Sequence, residues 1–262
     1  MNAHAETIDP PCLFQVSDGF AVVTLNRPAR GNALSSAMVE AMLPMLEDVG
    51  RNRDIHTLVL RGLGRHFCSG FDLSDLAHET DASLLARMVR IEMLLDGLWR
   101  LPRRTIAIGQ GRVTGAGADL MVACDHRLLA PEASMTFPGA RFGLVLGTRR
   151  LAARMGADKA ILAVSQGQML KAPEAAACRL ATSLLPEGAA PEDEALWTQM
   201  GPPVVEVATF AQLRGALDDK ASDTDLAALV RSAARPGLKA RIEAYRASVE
   251  AARAQNRRRA VA

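Results

Sequence analysis

Two short stretches near the middle of the chain carry residue types that could do chemistry: RHFCSGFDL (Arg65 to Leu73) and QGRVTGAGADL (Gln110 to Leu120). Each has an apolar run on its N-terminal side and a turn of small residues, where a bare backbone N–H can point into a shared cavity. Two such groups, the N–H of Phe71 and the N–H of Ala116, would make an oxyanion hole. That is a fixed pair of donors for a carbonyl oxygen that gains negative charge. The Ala116 N–H would gain further from the positive end of the helix it opens. Cys68 lies inside the first stretch and could act as a nucleophile. No His or other base is assigned to it, so it reads as a packing residue. The five histidines lack metal-ligand spacing, and no metal site is expected. His66 and His126 read as surface or strand-end residues.

The elements that must position these stretches alternate strand and helix. LFQVSDGFAVVTLN (Leu13 to Asn26) alternates apolar and polar residues around Asp18-Gly19, a hairpin signal because the turn needs positive φ. Ser35 or Ser36 then caps a helix carrying Met38, Met42, Leu43, Met45 and Leu46, with Pro44 expected to kink or split it. His56 to Arg61 reads as a buried strand leading into the first stretch. Asp81 to Arg100 reads as a long amphipathic helix, and Thr105 to Ile108 as a second buried strand. The second stretch should open a helix over Gly115 to Ala123, and His126 to Ala130 forms a third short strand. From Thr148 the pattern turns helical. Pro186 to Pro203 reads as a linker, with helices near Ala208 to Leu217, Asp225 to Ala234 and Leu238 to Ala254. The outcome is an α/β core followed by a helical tail.

Composition narrows the functions this architecture can serve. Of the 262 residues, 49% are hydrophobic and 23% charged, which suits a soluble globular protein with a substantial core. Aromatics make up 4%, too few for a base-stacking nucleic-acid surface. A net charge of +2 does not call for a polyanion partner, though clustered Arg residues would tolerate an anionic ligand. Arg257 to Arg259 read as a solvated tail. Cys12, Cys68, Cys124 and Cys178 form no CxxC pair, and no secretory or transmembrane segment stands out. A reduced, cytoplasmic protein without a membrane partner is expected.

The paired motifs resemble the crotonase superfamily, the enoyl-CoA hydratase/isomerase proteins that bind acyl-CoA thioesters. NRPARGNALS resembles the segment after that family's first hairpin. LPRRTIAIGQGRVTGAGADLMVACDHRLLAPEASMTFP resembles its strand, oxyanion turn, helix and strand in order. The resemblance runs from about Leu13 to about Pro186. It implies a spiral of ββα turns in a core over residues 1–190, which would bind acyl-CoA. It further implies a helical region over residues 191–262 that builds homotrimers or dimers of trimers. Coenzyme A would enter as part of the substrate, with no separate cofactor. Its adenine and pantetheine would lie against the loop from Arg65 through Cys68 to Gly70. Arg27, Arg30 and Arg65 are then the candidates for its phosphates, since Arg binds phosphate oxygens bidentately.

The resemblance leaves the reaction open. The position of one hydratase Glu, a helical turn beyond the oxyanion N–H, matches Asp119, which makes Asp119 the candidate acid/base. Its side chain is shorter by about 1.5 Å, one C–C bond. The second family carboxylate would follow Pro138, where this chain has Gly139. A further Asp, kept by related dehalogenases and dienoyl isomerases, would fall at Gly147. Asp72 is expected to cap the short helix after the first stretch. The resemblance, with these departures, implies an enzyme that stabilises a thioester enolate, hydratase- or lyase-like, with a non-standard acid/base set. The alternatives are a catalytically impaired CoA-thioester-binding protein or an isomerase using another carboxylate.

Overall fold

A computed structural model describes residues 9–218 and 220–261; the first eight residues of the expected core lie outside them. The hairpin opens the fold. Strands β1 (Cys12–Ser17) and β2 (Phe20–Leu25) pair antiparallel from Ser17↔Phe20 outward. Asp18 and Gly19 both adopt positive φ, as a tight right-twisting turn requires. Helix α1 (Ser36–Arg51) follows, its first turn capped by the Ser35 hydroxyl accepting from the Met38 N–H at 3.2 Å. Pro44 does not split α1, one of the two outcomes expected of it. It lies on the exposed face, while Met38, Val39, Met42, Leu46 and Val49 hold the helix on the core.

Three ββα turns then wind in succession. The first contains β3 (Thr57–Gly62), an isolated bridge at Cys68, and α2 (Asp81–Trp99). The second contains β4 (Arg104–Gly109), β5 (Arg112–Thr114) and α3 (Ala116–Ala123). The third contains β6 (His126–Leu129), β7 (Ser134–Thr136) and α4 (Thr148–Met155). Equivalent strands stack in parallel, Val59 on Ile106 and Ile106 on His126 in one sheet. Cys68 stacks on Val113 and Val113 on Met135 in the other. After α5 (Ala157–Ser165), β8 (Leu170–Lys171), α6 (Ala172–Ala177) and β9 (Ser183–Leu184), the larger sheet has the order β1-β2-β3-β4-β6-β9. The smaller has the order β5-β7-β8. All of β2 and β4 is buried, as strands covered on both faces should be.

The Pro186 to Pro203 segment is not a free linker. It contains the short helix α7 (Ala195–Thr198), whose Trp197 is buried in the main core beneath the Arg61 guanidinium. Gly201 also accepts from Arg104 Nη2 at 2.5 Å. Trp197, with Leu196 and Met200 packed beside it on the core, overrides the linker-like composition around it. Three helices complete the fold: α8 (Val207–Ala216), α9 (Ser222–Ala233) and α10 (Leu238–Val261). Leu229, Ala233, Leu238 and Ile242 from the last two join Leu76, Leu84, Met88 and Leu144 in a second apolar cluster. This cluster roofs the region where the two glycine turns meet. No helix among the described residues is long and apolar enough to cross a membrane.

Candidate active site

The two motif turns lie back to back across the joint between β5 and α3. Gly70 has φ +94° and Gly115 φ 56° with ψ −128°, conformations that favour glycine. A side chain on Gly70 would come within 2.7 Å of the Thr114 carbonyl oxygen and 3.7 Å of the Ala116 nitrogen. The absence of side chains therefore lets the two backbones approach. Around Phe71 the chain is pinned by the Leu34 N–H donating to the Gly70 carbonyl at 2.8 Å and the Asp72 N–H donating to the Leu34 carbonyl at 3.2 Å. The Gly115 N–H donates to Thr136 O at 2.8 Å. Among the described residues, neither the Phe71 N–H nor the Ala116 N–H donates to a backbone or side-chain acceptor. Both residues line one cavity of about 120 Å³.

That cavity is mostly apolar. Leu73, Met88, Leu144, Leu146 and Val164 form walls, and Ile242 and Tyr245 of α10 close it. Arg241 fixes α10 there by donating from Nε to the Phe142 carbonyl at 3.0 Å. Gly139 lines the cavity without adding a carboxyl. Asp119 is the carboxyl that does line it, 6% exposed. Burial is the main force on this group and pushes its pKa from 3.8 up to about 8, with Arg150 opposing the rise and Glu92 adding to it. Burial therefore favours the protonated form of Asp119. A Cβ at Gly147 would overlap Asp119 Oδ1, so Asp119 fills the space beside the start of α4.

Behind Asp119 stands an ion-pair cluster that the sequence reading missed. Arg150 Nη2 donates to both Glu92 oxygens, at 2.7 and 2.6 Å, with the side chains 1% and 3% exposed. Arg150 Nη1 reaches Asp225 at 3.1 Å, and Arg149 also holds Asp225. A signal for Glu92 does exist: it falls on the apolar stripe of α2 between Met88 and Leu95, all buried.

The remaining sequence candidates distribute as follows. Gly70 lines the cavity, but Cys68 does not; its thiol is fully buried, packs against Gly117, and burial pushes its pKa up to about 12. The Arg27 guanidinium is engaged, donating to Ala33 O at 2.6 Å and pairing with Asp72 at 2.7 Å. Arg30 and Arg65 are exposed on adjoining turns, tied where Ser69 Oγ donates to the Arg30 carbonyl at 3.4 Å. Buried Asn32, unnoticed in the sequence, braces this loop by donating to the Leu63 and His66 carbonyls at 2.9 and 2.7 Å. Asp72 does not cap a helix; it accepts from the Ser74 N–H at 2.9 Å in a turn and from Arg27. Burial alone would raise its pKa, but those partners outweigh burial and lower it. His66 Nδ1 accepts the Arg112 N–H at 3.2 Å, a structural role.

The spiral core and an apolar cavity lined by two turns with unengaged N–H groups define the class of fold and site. The chain belongs to the enoyl-CoA hydratase/isomerase family, whose model matches residues 15–234. Among its relatives is the ethylmalonyl-CoA decarboxylase of Mus musculus, 32% identical over 186 residues and 70% of this chain. The chain spans 56% of that protein's length. A crystal structure from Bordetella parapertussis, provisionally designated an enoyl-CoA hydratase/isomerase, is 38% identical with a TM-score of 0.84. The match covers 90% of this chain and 98% of that one. An enoyl-CoA hydratase structure from Bacillus halodurans shares the fold at 20% identity, with a TM-score of 0.76 and coverage of 89% and 99%. These neighbours bear out the crotonase fold expected from the motifs.

One consequence of the geometry concerns the joint between the turns. Gly70→Ala is expected to separate the Phe71 and Ala116 N–H groups, because the new methyl meets backbone rather than a yielding side chain. Loss of one oxyanion donor typically costs about 10²–10³ in kcat. Steady-state kinetics on an active thioester, beside circular dichroism of the folded variant, measures it.

Proposed function

We propose that this protein is an acyl-CoA-processing enzyme of the lyase or hydratase type that stabilises a thioester enolate. The Phe71 and Ala116 N–H groups hold the enolate oxygen, and Asp119 is the acid/base. The observation that carries this reading is a buried carboxyl in the same apolar cavity as two unengaged N–H groups. A group that stays protonated to about pH 8 is suited to giving a proton rather than taking one. Lyase chemistry uses that direction. When a malonyl-type thioester loses carbon dioxide, the C–C electron pair passes into the thioester as an enolate. Asp119 then delivers its proton to Cα and recovers one from water. The decarboxylase name of the mouse relative fits this reaction. Hydration needs a second group to activate water, and Gly139 supplies none. Arg30 and Arg65 meet the coenzyme A phosphates, and the working assembly is a homotrimer or a dimer of trimers.

Gly139 and Gly147 together favour a second reading, a CoA-thioester-binding protein without turnover. Purified protein assayed against malonyl-, enoyl- and β-hydroxyacyl-CoA decides between them. The lyase reading expects malonyl-type turnover on the order of 10 s⁻¹, an ordinary enzyme rate. Tight thioester binding by calorimetry with no turnover on any of the three establishes the second reading.

A further inference from the structure

We propose that Glu92 is a positioning residue for Asp119: by occupying the Arg150 guanidinium inside the protein, it keeps that positive charge from ionising the Asp119 carboxyl. This rests on the reading of Asp119 as the acid of the site.

The geometry begins with α4. Its N-terminal Gly147 lies against Asp119 Oδ1, and Arg150 stands one helical turn further on. Arg150 is 1% exposed, so water does not screen its charge. Its Nη2 is held by both oxygens of Glu92 and its Nη1 by Asp225. Its Nε is buried and has no hydrogen-bond partner. A buried guanidinium with an unused donor should draw any nearby carboxyl into ionising. The two carboxylates already on it weaken that pull.

The other charged groups on elements packed around Asp119 act elsewhere. On α2, Asp96 accepts from Ser222 Oγ at 2.7 Å. On α4, Arg149 holds Asp225 at 2.7 Å, so that carboxylate is shared between two guanidinium groups. On β4, Arg104 donates to Thr57 and Gly201. Arg112, at the start of β5, is exposed. Within the cavity lining, Tyr245 is the other titratable side chain. Arg150 and Glu92 bear on Asp119 in opposite directions, the guanidinium favouring its ionised form and the carboxylate opposing it. Replacing Glu92 with a neutral isostere therefore leaves Arg150 facing only the shared Asp225, and Asp119 ionises more readily.

The test reads the Asp119 proton directly. Infrared pH titration follows the carboxylic-acid C=O band, assigned to Asp119 by its loss in Asp119→Asn. In the wild-type protein the band should disappear with a midpoint near pH 8. In Glu92→Gln the midpoint should fall, and Glu92→Asp should restore part of the difference. If Glu92→Gln fails to fold, Glu92→Met decides in its place, with a fall in the same direction. An unmoved midpoint in a folded variant overturns the proposal. Because the readout is a titration, it is separate from turnover. Asp119→Asn keeping full activity would remove the acid reading and leave the titration result standing.

Discussion

Asp119→Asn should reduce turnover of the thioester substrate by about 10²–10⁴-fold, the usual contribution of a positioned acid or base. Thioester binding should stay within a few-fold of wild type. Asn has the same shape but no proton to give, and the N–H groups of Phe71 and Ala116 are untouched. In the wild-type protein the rate should decline above about pH 8, as the acid form of Asp119 is lost. The same substitution should stabilise the fold. The folded-state pKa is near 8 against an ordinary 3.8, so between those values the folded protein keeps a proton that the unfolded chain has released. Wild-type stability therefore falls as pH rises through that window, by up to roughly 1.4 kcal/mol per pH unit. Below about pH 4 both states are protonated, and above about pH 8 both are ionised, so the trend stops at each end. Asn escapes this loss, and its advantage should be larger at pH 8 than at pH 5. Urea unfolding at the two values measures it. Unchanged turnover would take Asp119 out of the mechanism, and an equal stability difference at both pH values would mean that the folded carboxyl is ionised.

Arg150→Ala is the substitution expected to cost the most stability, about 3–5 kcal/mol. The loss of packing is secondary. The variant leaves Glu92, 3% exposed, in the interior with no guanidinium to balance it. Against a typical total of about 5–15 kcal/mol, this is a large share. The double variant Glu92→Leu/Arg150→Met should recover most of it, because replacing both members with apolar groups leaves no unpaired charge. Denaturant midpoints of the two variants make the comparison. A single variant as stable as wild type would show that Glu92 is neutral in the fold. Burial does act in that direction, raising its pKa against the pull of Arg150.

Much of the scaffold was legible because its signals are local. The Asp18-Gly19 turn, the Ser35 cap and the buried strands β3 and β4 follow from neighbouring residues alone. The smaller sheet was not legible. Its strands are two or three residues long, too short for alternation to register, and they exist by pairing across the spiral, as Val113 does with Met135. The Pro186 to Pro203 segment misled because its Gly, Pro and acidic residues outnumber the few apolar residues, Trp197 first, that dock it. Asp72 was misjudged for a similar reason: Arg27 competes for its carboxylate from a distant turn.

For the site itself the division is clear. The sequence expectation of two backbone N–H donors, at Phe71 and Ala116, rests on the glycines that precede them. A turn that needs positive φ, or a close backbone approach, names its glycine directly, as Gly70 and Gly115 do. Sequence also named Asp119 as the carboxyl one helical turn away. Only the tertiary structure shows what pushes on the Asp119 proton. Desolvation and the field of a buried ion pair depend on which distant segments are packed around a group. Here those segments are α2, which brings Glu92, and α4, which brings Arg150.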